Sequence, residues 1–594
     1  MMLRIVPFLV LSASLVSAVA MMGAGPQTLP ASRDRSPCNL AISADDSYAV
    51  TANYASDTAS LIDLRKGVVV SETAVGKRPF CVALSKDGKR AVVSNWLSNT
   101  VTVLTVSPTS LKVTATIVVG EEPRGVAFTR EGDRAYVAVS GEDAIAELNL
   151  HTNRVTRRLE VGTEPWYVDP SIDGKRLAVG NTRSQDMAVV DLAAWRVDHT
   201  VKLRGHNVRH VAVSSDGQWA YVPNIAERGR PTTKENIDLG WVIGNRLSRV
   251  PMTEDGPREA IALDPRGKAV GDLDGVALSP DGKTIAVTAG GTHEMILLRL
   301  PLPFVSFGGP EDHIDPDLLK DARRFRRVSL GGRPLGLAFT HDSGSAVIAN
   351  YLSNSVQVVD VETGLLTRTV TLGPPAAPSI ERQGEAIFYD AERGFNHWYS
   401  CHSCHTDGHT NGATFDTFND GSYETLKKTL SLRGVSETAP YTWHGWQRDL
   451  RELVRNSMTM TMRGPEPAEG DLDSLMAFLK TLSFRPSRTP SDAAAAKRGE
   501  EVFRSRDCQP CHTPPAYTSP AVYTIGLESP SDAYKGFNPP SLRGVATRAP
   551  YLHDGRTWSL TEVLTKYHRP SQLNGKPDLS PQETADLMTF LRSL

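Results

Sequence analysis

Short runs of alternating apolar and polar residues fill the first two thirds of the chain. Ala91-Val92-Val93-Ser94 and Val101-Thr102-Val103-Leu104 are β-branched, short and bounded by turn residues, the pattern of strands rather than helices. One phrase recurs ahead of such runs: Pro, two residues, an aliphatic, Ala, Ser or Thr, then an acidic-Gly turn such as Asp87-Gly88 or Asp281-Gly282. Clear copies are Pro37-Cys38-Asn39-Leu40-Ala41, Pro79-Phe80-Cys81-Val82-Ala83, Pro123-Arg124-Gly125-Val126-Ala127, Pro165-Trp166-Tyr167-Val168 and Pro334-Leu335-Gly336-Leu337-Ala338. Weaker copies start at Val208 and Leu273. Starts at 37, 79, 123, 165 and 208 give spacings of 42, 44, 42 and 43 residues, and the next two, 65 and 61, mark insertions near 225–248 and 299–327. Repeats of ~40–45 residues with four short strands are propeller blades, so seven blades are predicted over 35–373. Long loops on a rigid scaffold tend to carry contacts, so each insertion reads as a contact surface or as rim decoration.

After the Pro-rich linker Gly373-Pro374-Pro375-Ala376-Ala377-Pro378 the periodicity becomes helical, and one plan occurs twice. Gln383-Gly384-Glu385-Ala386-Ile387-Phe388 and Arg498-Gly499-Glu500-Glu501-Val502-Phe503 each lead to a C-x-x-C-H motif. Ser431-Leu432-Arg433-Gly434-Val435 is mirrored by Ser541-Leu542-Arg543-Gly544-Val545, and Ala439-Pro440-Tyr441 by Ala549-Pro550-Tyr551. Each copy ends in an amphipathic segment, Leu475–Leu479 and Leu587–Leu591. The modules are predicted over 380–484 and 495–594, joined by a linker at about 485–494.

Composition adds little until the ends and the cysteines are considered. With 594 residues and a net charge of -2 the chain is multidomain, and no basic excess points to nucleic acid. Met1-Met2-Leu3-Arg4, an apolar run to Ala20 and the ending Ala18-Val19-Ala20 read as a secretory signal peptide over 1–20, with an uncleaved anchor as the alternative. The mature chain is expected to be periplasmic and to have no membrane span. Cys38 and Cys81 lie in adjacent repeats and read equally as a disulfide or as two buried thiols.

The four remaining cysteines form Cys401-His402-Ser403-Cys404-His405 and Cys508-Gln509-Pro510-Cys511-His512. Two thiols three residues apart add to the vinyl groups of one haem and carry the next His beneath the iron. Cys401, Cys404, Cys508 and Cys511 are thus expected to bind two haem c groups covalently, with His405 and His512 as proximal ligands. A zinc site is the competing reading of these cysteines. Seventeen residues after Tyr441 stands Met458, and 17 after Tyr551 stands His568. Both are competent distal ligands near a predicted helix end, with Met460 and Tyr567 as alternatives. His402 and His409 are not expected to bind iron. The predicted fold is an all-β seven-bladed propeller followed by a mainly α di-haem region of two class I-like cytochrome c modules.

Asn95-Trp96-Leu97-Ser98-Asn99-Thr100 and Asn350-Tyr351-Leu352-Ser353-Asn354-Ser355 resemble the YVTN-repeat seven-bladed propellers. The C-terminal third resembles the bacterial di-haem cytochrome c peroxidases and methylamine-utilisation oxidases through both C-x-x-C-H motifs and Pro540–Val545, followed by Ala549-Pro550-Tyr551-Leu552-His553-Asp554-Gly555. That resemblance implies one haem fed by a small redox protein, another that reacts with peroxide, and a Trp between them, here Trp443 or Trp446. It leaves open a calcium ion between the haems. The chain departs from the family at Asn456–Met462, where the catalytic glutamate has no counterpart and methionine appears in the first module. If Met458 and His568 both bind iron, peroxide has no open site at rest. Three readings follow: a peroxidase-like oxidoreductase acting on peroxide or a partner protein, a pure electron-transfer cytochrome docking through its propeller, and a catalytic propeller fed by the haems.

Overall fold

The computed structural model describes residues 34–594 apart from 254–255, 307–311, 489 and 491; the expected leader over 1–20 lies outside them. Seven antiparallel four-stranded sheets follow one another from Pro37 to Thr371, each a simple meander. In every sheet the second strand is almost wholly buried, as in Arg90–Asn95, whereas fourth strands such as Arg154–Glu160 alternate exposed and half-buried positions. That gradient puts the apolar faces between neighbouring sheets and the charged fourth strands on the rim. The ring closes between the inner strands Pro37–Ile42 and Pro334–Phe339. Gly336 permits it, because a side chain there would meet the Asn39 backbone at 2.6 Å.

The residue just before the inner strand, or just before the repeat start in the fifth blade, is left-handed in all seven blades: Ser36, Arg78, Glu122, Glu164, Asn207, Asp272 and Arg333, with φ between 50° and 59°. Non-glycine residues seldom adopt this conformation. Here it recurs with the repeat and gathers polar side chains on one face of the propeller.

Both insertions lie where the spacings put them, in the fifth and sixth sheets. The first, between strands Trp219–Ala226 and Gly244–Pro251, brings Ile237, Val242 and Ile243 into one buried cluster with Trp398, Tyr399, Phe415 and Met462 of the first module. The second brings His313 edge-on to Trp398 at 6.0 Å, and its own sheet's fourth strand begins inside it at Phe325. The insertions therefore grip the chain's own helical region. Cys38 and Cys81 carry free thiols. The Cys38 thiol donates to the Phe80 carbonyl at 3.1 Å, and burial pushes the Cys81 thiol up to about 11.

The helical region repeats one plan. Helix Ile380–Phe388 packs on Glu469–Thr481, and Ala493–Ser505 packs on Pro581–Ser593. Each pair crosses at a glycine. A Cβ on Gly384 would lie 1.8 Å from the Ser474 carbonyl oxygen, and one on Gly499 would lie 2.1 Å from that of Asp586. No helix among the described residues is long and apolar enough to cross a membrane.

The first C-x-x-C-H loop is seated in the mouth of the propeller. Ser400 and Ser403 donate their hydroxyls to the buried Asp272 carboxylate. Asn207 donates to the Ser403 carbonyl and accepts from Thr406, each at 2.9 Å. Arg209 donates to His402 Nε2 at 3.1 Å. Asp407 faces Arg209, Arg333 and Arg124 at 3.5, 3.6 and 3.9 Å. These cations hold its carboxyl well below the usual carboxylate range against the opposing effect of burial.

A carboxyl with a lowered folded-state value stabilises the fold above its unfolded value of ~3.9 and loses that effect as pH falls toward the folded value. Asp407→Asn is expected to cost on the order of 3 kcal/mol at pH 7, because three buried cations lose their counter-charge. Denaturant unfolding against pH checks this: the gap from wild type should close progressively below about pH 4.

Candidate haem sites in the helical modules

Each C-x-x-C-H segment holds its terminal histidine the same way. The His405 N–H donates to the Cys401 carbonyl at 2.9 Å and the His512 N–H to that of Cys508 at 3.0 Å. Nδ1 of His405 lies 2.9 Å from the Leu430 carbonyl and Nδ1 of His512 lies 3.1 Å from that of Tyr517. A ring that donates from Nδ1 keeps its Nε2 lone pair for a metal. Burial pushes both imidazoles down to about 4, so they are neutral at physiological pH.

Beside His405 lies a cavity of about 320 Å³. Cys401 and Cys404 border it, with apolar walls from Leu432, Val435, Leu453 and Val454. Two thiols, a neutral imidazole with a free Nε2 and an apolar slot are the donor set of a covalently attached haem, so the residues present fit that group. Among the described residues no three His, Cys, Asp or Glu side chains converge as a site for a lone metal ion.

The modules differ on the side opposite the proximal histidine. Each has a helix that widens into a five-residue π turn, Leu450–Asn456 into Ser457–Thr461 and Leu560–Glu562 into Val563–Tyr567. His568 caps the second turn, and its ring centre lies 6.4 Å from that of His512. Metal–imidazole bonds of ~2 Å from each side put two ring centres roughly 6 Å apart, so one iron fits between these rings. Burial and the neighbouring His512 together push His568 down to about 4. Tyr567 turns away, its ring lying against Lys566 and Arg556.

Met458 is placed differently. It is 4% exposed and packs with Phe388, Leu475 and Phe478 in the module core, and it does not border the cavity. The residue that caps the first π turn, as His568 caps the second, is Met462. Counting from the tyrosines misses this because the π turn starts seven residues after Leu450 but three after Leu560. Met462 borders the cavity, and its Sδ lies 3.9 Å from Cys401 Sγ. Leu453, Val454, Ser457 and Thr461 of the turning helix border the cavity as well.

Both tryptophans of the first module touch the second, Trp443 at His553 and Trp446 at Tyr534. Trp443 borders the first cavity, donates Nε1 to the Lys428 carbonyl at 2.7 Å and stands 6.3 Å from His553 of the second module, edge to face. Its carbonyl accepts from Asn538 at 2.8 Å. Trp446 stacks on Tyr534 at 5.7 Å and also borders the cavity. His402 is tied to Arg209 and to the Asp407 backbone N–H, and His409 to Ser431 and the Thr547 carbonyl. The residues that sequence reasoning missed are Asp272, Asp407 and the arginines around them. Asp272 and Arg333 stand just ahead of a repeat, Arg124 and Arg209 are second residues of one, and Asp407 lies in the first module, so no single sequence signal marks them.

Residues 496–594 match the cytochrome c family. The second module is a cytochrome c domain. Methylamine utilization protein MauG of Methylorubrum extorquens is 26% identical over 288 residues, covering 37% of this chain and 79% of that protein. Cytochrome c551 peroxidase of Pseudomonas aeruginosa is 24% identical over 282 residues, covering 37% and 80%. The solved hydrazine synthase of Kuenenia stuttgartiensis is 23% identical with a TM-score of 0.49, covering 57% of this chain and 99% of that one. The chain is thus a haem cytochrome of the oxidoreductase class, an all-β seven-bladed propeller joined to helical cytochrome c modules, with covalently bound haem c.

Met458→Ala should lower stability by roughly 2–5 kcal/mol, as for a buried methionine in a packed core, and leave the haem absorption bands unchanged. Thermal unfolding followed alongside the visible spectrum separates the two effects.

Proposed function

We propose that the chain is an exported, periplasmic di-haem oxidoreductase in which the first haem has an open face for peroxide and the second passes electrons. The observation that carries this is the contrast between His568, 6.4 Å from His512 ring to ring, and Met458, which packs with Phe388, Leu475 and Phe478 in the module core and is not among the residues bordering the cavity beside His405. Cys401, Cys404 and His405 would hold the first haem, and Cys508, Cys511, His512 and His568 the second. The bound haems supply the redox chemistry.

The chain's own residues divide the remaining work. Asp272, Asn207 and Arg209 fix the first loop from the propeller side. Leu453, Val454, Ser457 and Thr461 line the cavity and would face a small ligand held there. His444 borders the same cavity, donates Nδ1 to the Gly536 carbonyl at 2.7 Å, and its Nε2 lies 3.7 Å from the buried Asp532 carboxylate. It takes the proton-accepting role for which the family's glutamate has no counterpart here. Trp443, spanning the first cavity and the second module, relays electrons between haems, with Trp446 beside it. A small redox protein supplies the electrons, and the propeller acts as platform for the first module. The resemblance also carries over a calcium ion between the haems.

Electron paramagnetic resonance of the oxidised, haem-loaded protein should show one high-spin and one low-spin iron in equal amounts. His568→Ala should turn the low-spin signal high-spin, while His444→Gln should keep both signals and lower peroxide turnover by roughly 10²-fold. Two low-spin irons and no peroxide turnover from pre-reduced protein would refute the reading in favour of pure electron transfer.

A further inference from the structure

A second cavity, of about 460 Å³, lies in the mouth of the propeller under the first module. Its lining carries seven arginines, Arg78, Arg124, Arg209, Arg333, Arg382, Arg433 and Arg485, against four carboxylates, Asp34, Glu381, Glu385 and Asp407. The carboxylates do not reach every cation. Arg382 pairs with Glu385 at 2.6 Å, and Asp407 is shared by Arg124, Arg209 and Arg333. Outside the lining, Asp274 takes Arg209 at 2.5 Å and Glu122 takes Arg485. Among the described residues Arg78 and Arg433 make no side-chain hydrogen bond or ion pair, and the buried Arg124 Nε has no acceptor. Burial, and then the neighbouring Arg124 cation, push Arg433 down to about 10 against the opposing pull of Glu164 and Asp407.

The guanidinium faces are already used. Arg333 lies 3.3 Å over Tyr389, Arg78 4.8 Å over Tyr54 and Arg485 4.3 Å over Trp96. Stacking occupies the flat faces and leaves the N–H edges for a planar, two-oxygen acceptor. The rings form a continuous wall. His402 to Tyr389, Tyr389 to Tyr351, Tyr351 to Tyr54 and Tyr54 to Trp96 are spaced 4.9, 6.3, 6.0 and 6.1 Å between centres. Leu97, 45% exposed, lies in the lining and marks the way in. A space of this size with apolar ring walls and a few convergent cations suits a small organic ligand.

We propose that this cavity is a binding site for a small aromatic carboxylate, held by the N–H edges of Arg78, Arg124 and Arg433 against the tyrosine and tryptophan wall. Arg78 stands just ahead of the repeated phrase of the propeller, Arg124 within it and Arg433 in the Ser-Leu-Arg-Gly-Val segment of the first module, so the site exists only where the two halves meet. Arg433 borders the first haem cavity as well, which puts the bound anion next to that haem.

Calorimetric titration of the haem-loaded full chain with naphthalene-2-carboxylate tests this, with naphthalene-2-carboxamide as the uncharged control. The carboxylate is expected to bind at least about tenfold more tightly than the amide, since charge-assisted contacts are at stake. Arg78→Gln should weaken it by about tenfold with the melting temperature and haem spectrum unchanged. Equal affinities for acid and amide, no binding heat from either, or full affinity in Arg78→Gln would overturn the proposal. An altered haem spectrum in Arg433→Gln without carboxylate binding to the parent protein would overturn it too, assigning that arginine to the haem alone. The heat signal does not depend on whether either iron has an open face, so this result stands apart from that of the proposed function.

Discussion

The seat of one loop in one channel governs the arrangement of this molecule. Asp407 enters the propeller mouth against three arginines from three blades, while Asp272 reaches out of the propeller to two serines of the C-x-x-C-H loop. The first module thus supplies a carboxylate to the propeller cations, of which Arg209 also pairs with Asp274, and the propeller supplies a carboxylate that two hydroxyls of the loop satisfy; a buried charge without a partner is costly. The first module is therefore held by charge at the channel and by apolar packing at Trp398, where both insertions close over it. The inter-module linker is tied to the propeller as well, through Arg488 and Glu121 at 2.6 Å.

With the first module fixed, the second is positioned against it. Lys427 pairs with Asp532 at 2.6 Å, the Lys428 N–H donates to the His553 carbonyl at 2.6 Å and His444 reaches Gly536. Trp443 is enclosed by these contacts. In the proposed function this bridge carries electrons between the modules, and the repeated module plan sets its two ends. Within that plan the asymmetry is local. A π turn that starts four residues earlier in the second module brings His568 to its end facing His512. In the first module Met458 falls inside the turn and packs into the core.

The architecture was legible in the sequence because it is periodic. A phrase repeated at 42 to 44 residues specifies blades, and the interrupted spacings located both insertions. The C-x-x-C-H motifs and their mirrored surroundings specified the modules. Counting residues could not place Met458, since a π turn shifts the facing side chain without changing length or composition. Nor could it identify the channel arginines. Arg78, Arg124, Arg209 and Arg333 look like ordinary surface charges in four separate repeats until closure of the ring brings them together. The left-handed position ahead of each inner strand was equally silent, because Ser, Arg, Glu, Asn and Asp all occupy it and no glycine marks it.

In the proposed function one iron has an open face and the other has none. Carbon monoxide titration of the fully reduced, haem-loaded chain distinguishes them, because the gas binds ferrous haem only where the sixth position is free. Saturation is expected at one carbon monoxide per chain, with the bands of the second haem unmoved. Saturation at none or at two would contradict it.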